Sequence, residues 1–157
     1  MATRYRFVTM PSRRSKLYPT PDDAETAFYE AFERGDLAAM MAVWAETDDV
    51  VCIHPQGPRL LGFDAVRESW AQIFSRATQL RIRTIEARRF DGQNVAVRSV
   101  VEVLAAPGGQ GPTQSVNATN VYELTPGGWR MVIHHATHVP EPAAPTEEPP
   151  APAHTLH

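Results

Sequence analysis

Apolar residues recur at helical spacing through the first half of the chain and in strict alternation through the second. Thr20-Pro21-Asp22-Asp23 reads as a helix start, with Thr as N-cap, Pro in the first turn and acids against the positive end of the helix dipole. Ala24, Ala27, Phe28, Ala31 and Phe32 then share one helical face, and Gly35 ends the run. Asp36 caps a second short helix with Leu37, Met40, Met41 and Trp44 on one side. Val50-Val51-Cys52-Ile53-His54 is an apolar strand that stops at a Pro55-Gln56-Gly57 turn. A third helix over 63–77 carries Val66, Trp70, Ile73, Phe74 and Ala77 along one face.

Beyond residue 79 every segment reads as strand. Residues 80–90 and 94–105 flank the hairpin signal Asp91-Gly92. Residues 113–125 and 129–139 flank the turn Pro126-Gly127-Gly128. Helices first and a meander last predict an α+β domain, with the helices packed on one face of a curved antiparallel β-sheet. The expected domain spans residues 20–139. Residues 1–19 read as a flexible basic leader, since Arg4, Arg6, Arg13, Arg14 and Lys16 stand there without an acid. Residues 140–157, rich in proline with little to bury, read as a disordered tail.

A net charge of −3 is too small to steer the chain toward nucleic acid or a membrane surface, so neither is expected as a partner. No apolar run approaches the roughly 18 residues of a spanning helix. The single cysteine, Cys52, excludes an internal disulfide framework and points to a reducing, cytoplasmic compartment.

Histidine titrates nearest neutrality, so His54 at a strand end is a candidate proton carrier. The alternative is a residue that only hydrogen-bonds the strand edge. Alternation puts Val50, Cys52 and His54 on one face of their strand. With a tight turn at Pro126-Gly127, Asn120 is expected opposite Ile133, and Ala118 opposite His135. Asn120, Tyr122, Trp129, Met131, Ile133 and His135 then share one face, and His134 and His138 take the other. A metal site on His134, His135 and His138 is disfavoured, because four strand residues span about 13 Å. Cys52 and His54 are expected about 7 Å apart, beyond the reach of a nucleophile–base pair. Arg59, before Leu60-Leu61, is placed in a loop over the presumed mouth of the fold. No nucleotide or other cofactor motif is read.

The order helix, helix, strand, helix and long meander resembles the NTF2-like superfamily, most closely its SnoaL-like branch. The carrying motifs are Ala31-Phe32-Glu33-Arg34-Gly35-Asp36-Leu37, the Val50–Gly57 stretch, Gly62, Asn120–Leu124 and Gly128–His135. The resemblance implies a cystatin-like cone enclosing a pocket, commonly in a homodimer. It also implies that the face bearing Asn120 is the concave one, with Phe28, Trp44, Cys52, Tyr122, Trp129, Met131 and Ile133 as pocket lining. Against the ketosteroid-isomerase pattern, His54 stands in the slot of the catalytic Asp. Phe28 stands for the oxyanion Tyr, with Tyr29 next door pointing elsewhere, and Asn120 stands for the protonated Asp. Two of three roles have changed type, so steroid isomerisation itself is not expected.

The resulting expectation is a pocket protein for a small, largely apolar ligand. His54 would transfer a proton, as in isomerases, cyclases or dehydratases, with Asn120 or His135 stabilising charge on oxygen. No carboxylate is expected among the pocket residues, which weakens catalysis. The alternative is a non-enzymatic dimeric binding or interaction module.

Overall fold

The computed structural model describes residues 16–76 and 79–140; the basic residues before Lys16, Ala77 and the proline-rich tail from Glu141 lie outside them. Helix α1 (Pro21–Arg34) starts as its sequence dictates. Thr20 Oγ1 accepts from Asp23 N at 3.1 Å, and the Asp23 carboxylate accepts from Thr20 N at 3.0 Å, a reciprocal cap. Gly35 ends the helix in the left-handed conformation at φ 62°. Asp36 caps α2 (Leu37–Val43) through Ala39 N, and α3 is Phe63–Arg76.

Strands β1 (Val51–Ile53), β2 (Arg59–Leu61), β3 (Arg81–Asp91), β4 (Val95–Ala105), β5 (Gln114–Thr125) and β6 (Gly128–His138) form one sheet in the order β2-β1-β6-β5-β4-β3. The sheet is mixed rather than antiparallel throughout, because β1 runs parallel to β6. The connection from β1 to β6 is long enough to permit a parallel pair, which a hairpin cannot. Arg59 is not in a mouth loop either, since β2 turns back on β1 and pairs Arg59 with Ile53.

Phe28 of α1, Met40 and Val43 of α2, and Val66 and Trp70 of α3 pack with Cys52, Tyr122 and Met131 into one core. Phe28, Phe32 and Phe74 surround Trp70 with ring centroids 5.0–5.7 Å away. Burying each such side chain contributes about 1.5–3 kcal/mol. On the outer face one cross-strand row is apolar across all six strands: Leu61, Val51, Ile133, Val121, Val97 and Phe90.

The folded body begins before the boundary expected at residue 20. Tyr18 is buried and bridges Gly128 in parallel, with Trp129 N donating to Tyr18 O at 2.9 Å. The Arg130 guanidinium lies 5.0 Å from the Tyr18 ring centroid and donates to Lys16 O at 2.7 Å. Gly128 permits this seam: its φ is +92°, and a Cβ there would stand 2.7 Å from Tyr18 O. Gly128→Ala is therefore expected to lower stability by more than about 1 kcal/mol in urea denaturation. Gly127→Ala, where the nearest atom is a flexible Arg130 nitrogen at 3.5 Å, serves as the control and should stay within about 0.5 kcal/mol.

Candidate functional site

The inner face of the sheet is organised by one extra residue in β6. Tyr122 pairs with Met131 but Val121 pairs with Ile133, so Val132 has no partner across the strand. Because strand side chains alternate, one inserted residue moves everything beyond it to the opposite face. Met131 and His134 consequently both face the helices, while Ile133 and His135 face away. Asn120 lies opposite His134, and Ala118 opposite Ala136. His134 is buried and His135 exposed, which reverses their expected places, and Ile133 leaves the expected pocket lining for the outer row.

His134, Asn120, Tyr29 and Glu102 form a continuous hydrogen-bonded chain across the interior. An ionised Glu102 can only accept, so Tyr29 Oη donates to Glu102 Oε1 at 2.9 Å. Tyr29 Oη in turn accepts from Asn120 Nδ2 at 3.0 Å. That orientation of the amide turns Asn120 Oδ1 toward His134 Nδ1, which donates to it at 2.7 Å. His134 Nε2 makes no hydrogen bond among the described residues and is left as a lone pair. Its ring sits among Phe28, Trp70 and His54, with centroids 5.2, 6.0 and 6.2 Å away. Asn120, His134 and Glu102 are each no more than 2% exposed, so their polar atoms depend on one another for what water would otherwise supply.

Two of these four stand where the sequence does not put them: His134 faces inward rather than outward, and Tyr29 points into the chain rather than elsewhere. Glu102, which the sequence does not single out, adds a carboxylate at its end. On β4 the alternation is inverted: Ala96, Arg98, Val100 and Glu102 are buried, while Val95, Val97, Val101 and Val103 take the outer face. Arg98 is held by Asp22 at 2.9 Å, Asp91 at 2.7 Å and Glu25 at 3.5 Å, which ties the start of α1 to β3 and β4. Charge pairing thus allows polar residues to occupy positions that hydrophobicity alone would give to valine.

His54 faces inward at the edge of the same region. Its Nε2 is 3.0 Å from Ser69 Oγ, whose one proton goes to Val66 O at 2.7 Å. Nε2 therefore carries the proton and Nδ1 the lone pair. The ring meets Trp70 edge-on, with centroids 4.8 Å apart. Cys52 Sγ reaches to 3.5 Å from Nε2, closer than strand spacing suggested, because two side chains on one face can lean together. The pair is still no nucleophile and base: burial pushes the thiol up to about 12, and the same effect lowers the His54 pKa, so both are neutral.

Phe28, Trp44, Cys52, Tyr122, Trp129 and Met131 are all buried in the main core. The Tyr122 hydroxyl and the Trp44 and Trp70 indole N–H groups are buried without a hydrogen-bond partner among the described residues. A smaller apolar cluster of Val100, Val116, Ala118 and Ala136 continues along the inner face, with Tyr29 and Leu104 against it. A cavity of about 530 Å³ lies between Gln56, Gln114 and His138. Others of about 340 and 280 Å³ are lined by Trp44 with Phe63 and by Tyr29 with Thr84. None of these three is lined by His54, Asn120 or His134; Trp70 and its neighbouring rings fill the space beside those residues. Among the described residues no group of three or more His, Cys, Asp or Glu is arranged to hold a metal ion.

Burial acts on the two ends of the chain in opposite directions. It lowers the His134 pKa to about 3, helped by His54 and His135, and raises that of Glu102 to about 7 against the Tyr29 hydrogen bond. Relative to ordinary values of 6.5 and 4.5, the folded protein binds fewer protons at His134 between pH 3 and 6.5 and more at Glu102 between pH 4.5 and 7. Stability contributed through His134 is lost as pH falls below 6.5, and stability contributed through Glu102 is lost as pH rises above 4.5. In the overlap each slope is about 1.4 kcal/mol per pH unit and they oppose. The wild-type stability profile, followed by urea denaturation, should be shallow from pH 4.5 to 6.5. E102Q should expose the histidine slope and lose stability on acidification across that window, whereas H134Q should gain it.

The SnoaL-like domain family matches residues 22–141. A solved structure from Thiobacillus denitrificans, assigned as a calcium/calmodulin-dependent protein kinase type II association domain, is 40% identical over 80% of this chain and 99% of its own, with a TM-score of 0.75. A Streptomyces avermitilis protein assigned as an NTF2-like dehydratase is 33% identical over 78% of this chain and 100% of its own, with a TM-score of 0.69. The F-box protein SKIP8 of Arabidopsis thaliana is 29% identical over 71% of this chain, which spans 46% of that protein's length. A structure from Parabacteroides distasonis assigned as a ketosteroid isomerase, 18% identical with a TM-score of 0.64, shares the fold. No helix among the described residues is long and apolar enough to cross a membrane. With the family match extending over most of the sequence and the cone of helices on a curved sheet in place, this chain belongs to the SnoaL-like domain family of NTF2-like proteins.

Proposed function

We propose that this protein binds a small, largely apolar molecule bearing a hydroxyl or carbonyl oxygen on the inner face of its sheet, and that His54 moves a proton there. The observation that supports this reading is the hydrogen-bonded chain from His134 to Glu102, set beside the apolar cluster of Val100, Val116, Ala118 and Ala136. Polar groups converging on an apolar surface are what a small-molecule site needs: area for affinity and a few fixed dipoles for orientation. His54, neutral through burial and with its Nδ1 lone pair uncommitted, is suited to accept a proton as a general base. His134 Nε2 is the second group able to meet a ligand. Admission of a ligand there requires the Trp70 and His54 rings to move, because they fill the space beside His134. The reaction class is an isomerisation, cyclisation or dehydration, and no cofactor is invoked. The dehydratase assignment of the Streptomyces avermitilis relative lends support.

A second reading, a non-enzymatic dimeric module, is favoured by the apolar row across the outer face of all six strands. A second copy of this chain would cover that row, as symmetric pairing commonly does. The association-domain assignment of the Thiobacillus denitrificans relative lends support here.

Native mass spectrometry of protein purified from its own host, followed by a screen of small carbonyl and hydroxyl compounds, tests the first reading. A co-purified or screened small molecule is expected, and His54→Ala should lower its turnover by about 10²-fold or more with affinity mostly kept. Bare protein mass together with no binder in the screen would leave the module as the function.

A further inference from the structure

We infer that Tyr29 and Glu102 are positioning residues that decide which nitrogen of His134 carries the proton, and hence whether the inner face offers a ligand a hydrogen-bond acceptor or a donor. The consequence for ligands rests on the proposed binding function; the control of the tautomer does not.

The inference follows from the donor inventory of the chain. With Glu102 ionised, every member is committed in one sense: Tyr29 donates to Glu102, Asn120 Nδ2 to Tyr29, and His134 Nδ1 to Asn120. His134 then presents a bare Nε2, which receives a hydroxyl from a ligand. Now let Glu102 take one proton from solvent. With that proton on Oε1, the oxygen that faces the Tyr29 hydroxyl, the new O–H donates to Tyr29, the only hydrogen-bond partner of Glu102 among the described residues. Tyr29 can no longer donate to Glu102, and its own proton turns to Asn120. To accept it, the Asn120 amide rotates by half a turn, exchanging Oδ1 and Nδ2 with no other heavy atom displaced. Nδ2 then faces His134 Nδ1 as a donor, so Nδ1 releases its proton to solvent and Nε2 takes one up from solvent, which leaves the lone pair on Nδ1. One proton has entered, at Glu102; His134 is neutral before and after. The inner face now offers an N–H, suited to a carbonyl oxygen.

Beside the chain lies the Tyr122 hydroxyl of β5, buried without a hydrogen-bond partner among the described residues and in electrostatic contact with both Tyr29 and Glu102. Glu102 faces Tyr29 from α1, Thr84 from β3 and Val116 from β5. The cleft beside Tyr29 also holds Glu25, Glu30, Glu33 and Arg89. Arg98 is the inward neighbour of Asn120 but is committed to Asp22, Glu25 and Asp91. Around His134 the titratable neighbours are His54 and His135, and the other contacts are the Phe28 and Trp70 rings. Glu102 is the member placed to change charge near neutral pH, since burial raises its pKa to about 7.

Long-range ¹H–¹⁵N correlation spectra of His134, recorded on ligand-free full-length protein with ¹⁵N-labelled histidine, read the tautomer directly. Between pH 8.5 and 5.5 His134 is expected to pass from the Nδ1–H to the Nε2–H form while remaining neutral. Y29F should abolish that change while the Glu102 carboxyl, followed by its ¹³C shift, continues to titrate. E102Q should give one pH-independent form. A single tautomer of His134 at both ends of the range in the wild type would overturn the inference, and so would a pH step that survives in Y29F. The wild-type measurement decides the matter even if a variant fails to fold. Because no ligand is present, a missing tautomer change is distinct from a failure to find any binder.

Discussion

The unpaired residue in β6 sets the parity on which the whole inner face depends. Met131 must face the core beside Trp44, and His134 must face it beside Trp70; a regular strand cannot do both three residues apart. Val132 resolves this by adding a residue without a cross-strand partner, so the sheet keeps its ladder on either side while the alternation reverses. Without that shift His134 would turn outward, Asn120 would lose the group it accepts from, and an exposed histidine would take a buried slot.

Once His134 is inside, the rest of the polar chain follows from the cost of leaving buried groups unpaired. An isolated buried amide, phenol or carboxylate is destabilising by more than a typical hydrogen bond returns, so each member requires the next. Tyr29 is the link between helix and sheet: it receives from β5 and donates to β4. Arg98 performs a parallel service nearer the start of α1, where three carboxylates compensate a charge that is 1% exposed. The two clusters sit four residues apart on β4, at Arg98 and Glu102, and together explain why Val97, Val101 and Val103 turn outward while Val100 between them stays inside. That outward apolar surface supports the dimeric reading, while the inward polar surface supports ligand binding. The two are compatible in one molecule.

The helices, their caps and the meander were legible because each rests on local chemistry: Thr20 with Asp23, Asp36 with Ala39, and Gly35 in a left-handed turn. The two-strand excursion β1–β2 was half read, since Arg59–Leu61 is too short to carry a periodic signal. Of the site, His54 shares a face with Cys52 as alternation predicts, and Asn120 lies on the inner face that the resemblance implies, although opposite His134 rather than Ile133. His134 was missed because a bulge leaves no trace in hydrophobic alternation; the pair His134-His135 is symmetric to that pattern. Glu102 was missed because it stands between Val101 and Val103, where polarity argues for the solvent side. A signal did exist there: the even positions of β4 include Ala96 and Val100, and Arg98 among them has acids available at Asp22 and Asp91. Tyr29 follows Phe28 by one residue, and only the position of Glu102 and Asn120 over the helix reveals that both face protein.

The most direct measurement is the stability of H134A and H135A, compared by urea denaturation at pH 7. H134A leaves the Asn120 carbonyl unpaired and a void among Phe28, Trp70 and His54, so a loss of at least about 2 kcal/mol is expected. H135A removes an exposed side chain and should change stability by no more than about 0.5 kcal/mol. Equal losses, or a larger loss for H135A, would mean that β6 runs without the parity shift at Val132 and would contradict the site built upon it.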